Sequence, residues 1–147
     1  MLRTLLQLFE SNVSESEKSH TVELATAALL SEIMRADAHV DDAELAAYKA
    51  QLYARFSLSQ EALNALADEG RASAEDAVDL VQFTQVINEN CDSHDKQQIV
   101  KGLWEVAYAD KSIAPIEEHT IRRIADLLHV PHSQFIKAKL SVTGDEQ

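Results

Sequence analysis

Glycine and proline are scarce in this sequence, with 3 Gly and 2 Pro among 147 residues. Chain breaks are therefore few, and the abundant Ala, Leu, Glu and Gln are residues that favour helix, so the composition points to an all-α fold. Cysteine is nearly absent. Cys91 alone cannot form an internal disulfide, and it lacks the neighbouring Cys or His of a zinc motif, so a reducing, cytoplasmic setting is the simpler expectation. Basic residues are also in short supply, 13 against 25 acidic, for a formal charge of −12. Such a surface repels phosphate backbones and anionic lipid, which argues against nucleic acid and in favour of cations or basic partners.

Long hydrophobic runs are missing too. The N-terminus carries Leu2, Leu5, Leu6 and Phe9 at helical spacing, interrupted by Thr4 and Gln7 and stopped by Glu10. That is too short and polar for a signal or transmembrane segment. It fits an amphipathic helix over residues 1–10 that docks on the body, on a partner, or on a membrane through residues 2–9.

What is present is a chain of single-domain length with 46% hydrophobic residues, enough for a core without staples. The polar stretch 11–19 reads as a linker, 20–140 as the folded domain and 141–147 as a tail. Val22, Ala25, Leu29, Leu30, Ile33 and Met34 trace a broad helical face ending near Arg35. Asp41 and Glu44 have the spacing of a capping box, so a helix is expected from Asp42, with Leu45, Tyr48, Leu52 and Phe56 as its apolar stripe. Ser59 looks like the cap of a short helix, Ser73–Asp76 like the opening of another, and Ser93 like the cap of one running to Tyr108. Pro115 suits a first helical turn, and Pro131 precedes a last helix from His132 to about Leu140. Seven or eight helices are expected in one bundle.

The most informative pattern is an internal repeat. Leu30-Ser-Glu32-Ile-Met-Arg-Ala36-Asp37-Ala-His-Val40-Asp41-Asp-Ala-Glu44 returns as Leu103-Trp-Glu105-Val-Ala-Tyr-Ala109-Asp110-Lys-Ser-Ile113-Ala-Pro-Ile-Glu117, always 73 residues on (37 to 110, 44 to 117). Each copy reads as helix, turn and helix, with Val40 and Ile113 expected to plug the corners, and two copies suggest a pseudo-twofold core. The Asp-to-Glu spacing also suggests the second half of a calcium-binding EF-hand loop. The comparison fails on ligands, because Ile33 and Arg35, or Val106 and Tyr108, would occupy the first liganding positions.

On these two motifs, and on Glu117-Glu118, Ile121-Arg-Arg123 and Leu127-Leu128, the sequence resembles the tellurite-resistance TerB-like family, in its uncharacterised bacterial branch, over roughly residues 20–140. The resemblance implies an α-helical fold of two repeats and an acidic, metal-binding surface associated with tellurite and general stress resistance. Members usually carry Gly after each Asp. Ala38 and Lys111 depart from that, and Lys111 places a positive charge beside Asp110.

Two readings of the repeated carboxylates stand side by side. Asp37, Glu44, Asp110 and Glu117 can cap helix ends, which alone explains their spacing. Alternatively Glu32, Asp37, Asp41 and Glu44, and likewise Glu105, Asp110 and Glu117, supply hard oxygen ligands for Ca, Mg or Mn. None of the six histidines falls in a helical metal motif, and Trp104 and Tyr108, one turn apart, are expected in the core. Carboxylates flank Cys91 and would raise its thiol pKa. With no catalytic dyad, phosphate loop or cofactor fingerprint in the sequence, the expected function is a non-enzymatic, stress-related interaction module with a protein partner. The alternatives are a divalent-cation-binding protein or metal-dependent enzyme using the repeated carboxylates, and a membrane-peripheral scaffold.

Overall fold

The computed structural model describes the backbone of residues 2–36 and 40–144, and the side chains of residues 17, 19–36 and 40–144. Among these, seven helices and no strands are found: α1 (Leu2–Arg35), α2 (Asp42–Arg55), α3 (Gln60–Asp76), α4 (Val81–Asn90), α5 (Ser93–Ala107), α6 (Pro115–Leu127) and α7 (His132–Thr143). The all-α expectation holds. α1 is the hub, packing against each of α2 to α6, while α7 closes the bundle over α5 and α6.

The sequence explains why α1 takes the centre. Ala25, Ala27, Ala28, Leu29, Leu30, Ile33 and Met34 are all buried, so its C-terminal half is apolar on nearly every side. Small residues there allow close neighbours. A Cβ on Gly70 of α3 would stand 2.5 Å from Ala27 Cβ and 2.6 Å from the Tyr48 hydroxyl, so glycine is what lets α3 reach α1. The same hydroxyl donates to the Ala67 carbonyl at 2.7 Å, joining α2 to α3.

Four helix boundaries differ from the sequence expectation. The stretch 11–19, expected as a linker, lies within the unbroken helix α1. It contains neither Gly nor Pro, and the Ser, Asn and Glu that made it look irregular weaken a helix only by fractions of a kcal/mol each, about 0.7 at most. Ser73–Asp76 closes α3 instead of opening a helix, because Leu63, Leu66, Ala67, Gly70 and Ala74 continue one buried face through it. Asp92, not Ser93, caps α5: its Oδ1 accepts the Asp95 N–H at 2.9 Å, and its own N–H donates to Asp95 Oδ2 at 3.4 Å. α7 also extends to Thr143, into the expected tail, and ends on Gly144 with φ 67°.

Other ends agree with the expectation: α1 ends at Arg35, Asp41 Oδ1 accepts the Glu44 N–H at 2.7 Å, Ser59 caps α3 by accepting the Ala62 N–H at 3.1 Å, Pro115 is the first residue of α6, and Pro131 directly precedes α7.

Candidate functional site

The 73-residue offset has a physical counterpart. Leu30 and Leu103, Ile33 and Val106, Met34 and Ala107, and Tyr48 and Ile121 occupy equivalent positions, and all eight are buried. α1–α2 and α5–α6 are therefore two copies of one hairpin. The corners differ, however. Ile113 packs against the core in the second, whereas Val40 is 38% exposed and lines a groove with Met34 and Arg71, so it does not plug the first.

At the third position of α2 and of α6 stand Glu44 and Glu117, each only 3% exposed. Glu44 Oε1 faces the Asp41 N–H at 3.4 Å, completing its capping box. Glu117 Oε1 accepts the Ala114 N–H at 2.8 Å, although Ala114 has no side-chain acceptor to return the bond. Both glutamates thus cap their own helices, as the spacing foretold.

They also hydrogen-bond to each other. Burial is the main cause that raises the Glu44 carboxyl, the bond to Glu117 adds to it, the backbone bond at Asp41 works against it, and the charges of Glu117 and Asp41 raise it further, to about 8. Two carboxyls in contact away from water share a proton, because two adjacent carboxylates in a poorly solvated site repel strongly. The junction of the hairpins therefore holds on to a proton at higher pH than an ordinary carboxyl does.

The remaining candidate ligands are distributed otherwise. Glu32, half-buried, accepts from Arg35 at 2.8 Å. Glu105 is half-buried on α5, and Asp110 is exposed, its Oδ1 accepting the Ser112 N–H and hydroxyl, both at 3.1 Å. Asp41 serves as the cap of α2, and Asp37 lies outside the described residues. Among the described residues no group of three or more His, Cys, Asp and Glu is placed to hold a metal ion. Among the described candidate ligands, Glu44 and Glu117 are brought together across the two hairpins, and Asp41 lies beside Glu44 within the first.

A family model described as Tellurite resistance protein TerB matches residues 23–140. The chain belongs to the TerB family. No curated protein and no solved structure matches it. The TerB match starts inside α1 and ends inside α7, so it contains both hairpins and the glutamate pair.

Of the two turn residues expected to depart from glycine, Ala38 lies outside the described residues and Lys111 lies within them. Lys111 follows Asp110 with φ 69°, in the left-handed region that a glycine adopts without strain, and its Nζ lies 5.4 Å from the centre of the Tyr108 ring. Trp104 is fully buried, 5.2 Å from Phe135, as expected of a core residue, while Tyr108 is half-buried at the end of α5. His132 stacks on Phe135 at 5.5 Å, and His20 approaches Glu69 at 3.5 Å. The Cys91 thiol is pushed up first by burial and only then by the charges of Asp95 and Asp92, so burial outweighs the flanking carboxylates. Among the described residues no helix is long and apolar enough to cross a membrane.

What the residue-by-residue reading missed in this TerB-family chain is that Glu44 and Glu117 are each other's neighbours. The signal was available in the repeat, because Glu44 and Glu117 are equivalent positions, and the third helix position is buried in both copies.

Proposed function

We propose that the chain is a non-enzymatic, stress-related interaction module of the tellurite-resistance type, which acts in the cytoplasm and meets a protein partner through its acidic surface. The observation that carries this reading is the TerB match across both hairpins. The charge of −12 supports it, since such a surface attracts basic partners and slows approach to anionic ones. The test is a deletion of the encoding gene, challenged with tellurite and complemented by the wild type or by Glu105→Gln with Asp110→Asn. Sensitisation that the wild type restores and the variant restores poorly is expected; unchanged resistance on deletion removes the reading.

A second reading is uptake of Ca, Mg or Mn at the turn carboxylates, with the first turn binding the more tightly. The first turn carries Asp41 where the second has Ala114, and Lys111 stands beside Asp110 in the second. Calorimetry then shows Asp37→Asn weakening the binding of Ca²⁺ or Mn²⁺ more than Asp110→Asn does. Absence of heat at millimolar cation rejects this reading and leaves the first intact.

A further inference from the structure

Away from the glutamate pair, the last turn of α2, the middle of α1 and the junction of α4 with α5 enclose an open cleft of about 520 Å³. That is within the range of small-molecule sites, roughly 300–1,000 Å³. Val22, Phe56 and Ile99 give it an apolar wall, and Arg55, Asp95 and Cys91 give it polar groups.

Arg55 is the unusual member. Its Nη2 donates to the Gln98 carbonyl, its Nε is shut off from water without a partner, and Nη1 has no partner among the described residues. No carboxylate lies within ion-pair distance of it there, and burial pushes its guanidinium pKa down. A half-buried guanidinium remains charged, and without a counter-ion that charge is costly. Asp95 acts on it only through space: it sits exposed, with its Oδ2 taken by the Asp92 N–H.

A second observation concerns the space around that guanidinium. Gly102 lies inside α5, where glycine is a poor helix former, and a Cβ there would come within 2.9 Å of Gln51 Oε1 and 3.0 Å of Arg55 Nη2. The glycine keeps room for both side chains as they stand in the cleft wall.

We propose that this cleft binds a small monocarboxylate with a short apolar tail, its carboxylate on the guanidinium of Arg55 and its tail against Val22, Phe56 and Ile99. Guanidinium matches a carboxylate in plane and charge. The cleft holds one fixed cation, and Asp95 at its rim opposes a second negative charge, so a dianion such as phosphate is disfavoured.

Cys91 supplies the assay, because it is the only cysteine and lines the cleft. With the full-length protein, alkylation by uncharged iodoacetamide at a fixed alkaline pH is followed against hexanoate, its neutral analogue hexanamide, and inorganic phosphate. Hexanoate slows the reaction saturably, hexanamide protects at least tenfold more weakly, and phosphate does not protect. Arg55→Gln abolishes the hexanoate effect, and Asp95→Asn strengthens it. Equal protection by hexanoate and hexanamide, stronger protection by phosphate, or no protection at all overturns the proposal. These outcomes are read on the wild type and stand even if the arginine variant folds poorly. Hexanoate-induced shifts of the Gly102 and Gln98 amide resonances provide the second readout, and unmoved resonances count equally against the site.

Discussion

Lys111 and His129 are the two non-glycine residues with positive φ among those described, 69° and 62°, and they illustrate different solutions to one steric problem. His129 sits just past α6, where its N–H reaches Asp126 and the next N–H, from Val130, reaches Ala125, the paired bonds of a Schellman ending. Lys111 has a bond from its N–H to Tyr108 and the stacked contact with that ring. Left-handed backbone costs an ordinary L-residue about 1–2 kcal/mol, while glycine loses more entropy on folding and would forgo the ring contact. Lys111→Gly is therefore expected to stabilise the protein by about 0.5–1 kcal/mol, seen as a higher urea midpoint with an unchanged slope. A fall in the midpoint would mean that the Tyr108 contact outweighs the strain. The repeat aligns Lys111 with Ala38, but the sequence does not show the φ, which depends on how the turn leaves α5.

Among the elements, the legible ones were those whose signals are local. The Asp41–Glu44 box, Pro115 at the head of α6 and Pro131 before α7 each act within four residues, and each marks its helix correctly. Ser73 mimics the opening of a helix, because a Ser-x-x-Asp spacing inside a continuing apolar face looks the same as one that starts a helix. Only the packing of Ala74 into the core distinguishes them. Gly70 was invisible for the same reason, since its neighbours Ala27 and Tyr48 belong to other helices. Gly70→Ala improves local helix propensity by about 1 kcal/mol, yet it drives a methyl into Ala27, where both contacting atoms are fixed to the backbone or one bond from it. The overpacking term, about 1–3 kcal/mol and more where backbones must separate, is expected to win. Thermal unfolding of the variant should show a clear loss of stability; an unchanged or raised midpoint would show that α1 and α3 can part cheaply.

For the whole molecule, the glutamate pair links stability to pH. The folded-state pKa of Glu44 is about 8, above its ordinary value of 4.5, so between these limits the native state holds a proton that the unfolded chain has released. Its contribution is fully present below the lower value and is lost as pH rises through the upper one. Stability from this group accordingly declines across that window, by no more than about 1.4 kcal/mol per pH unit. Glu44→Gln keeps an oxygen for the Asp41 N–H and a donor for Glu117 but cannot titrate, so its urea midpoint should vary less between about pH 5 and pH 8. A slope equal to that of the wild type would place the linked proton elsewhere. The two hairpins were readable from the repeat, and the apolar periodicity gave most of the core. The contact between them was not, because it depends on the rotation of one hairpin against the other. The Arg55 cleft was hidden likewise, its wall being drawn from α1, α2, α4 and α5 at once.

The shared proton has a consequence for the duplicated architecture. Two hairpins of common pattern meet at glutamates of the same type, yet their surroundings differ and bias the proton toward one of them: Asp41 lies beside Glu44, while Ala114 occupies the corresponding place next to Glu117. The two halves are thereby chemically inequivalent at the point where they are geometrically most alike. A carboxylic acid and a carboxylate absorb infrared light at different frequencies, so isotope-edited spectra would reveal that broken symmetry as two separate bands from a single pair of side chains.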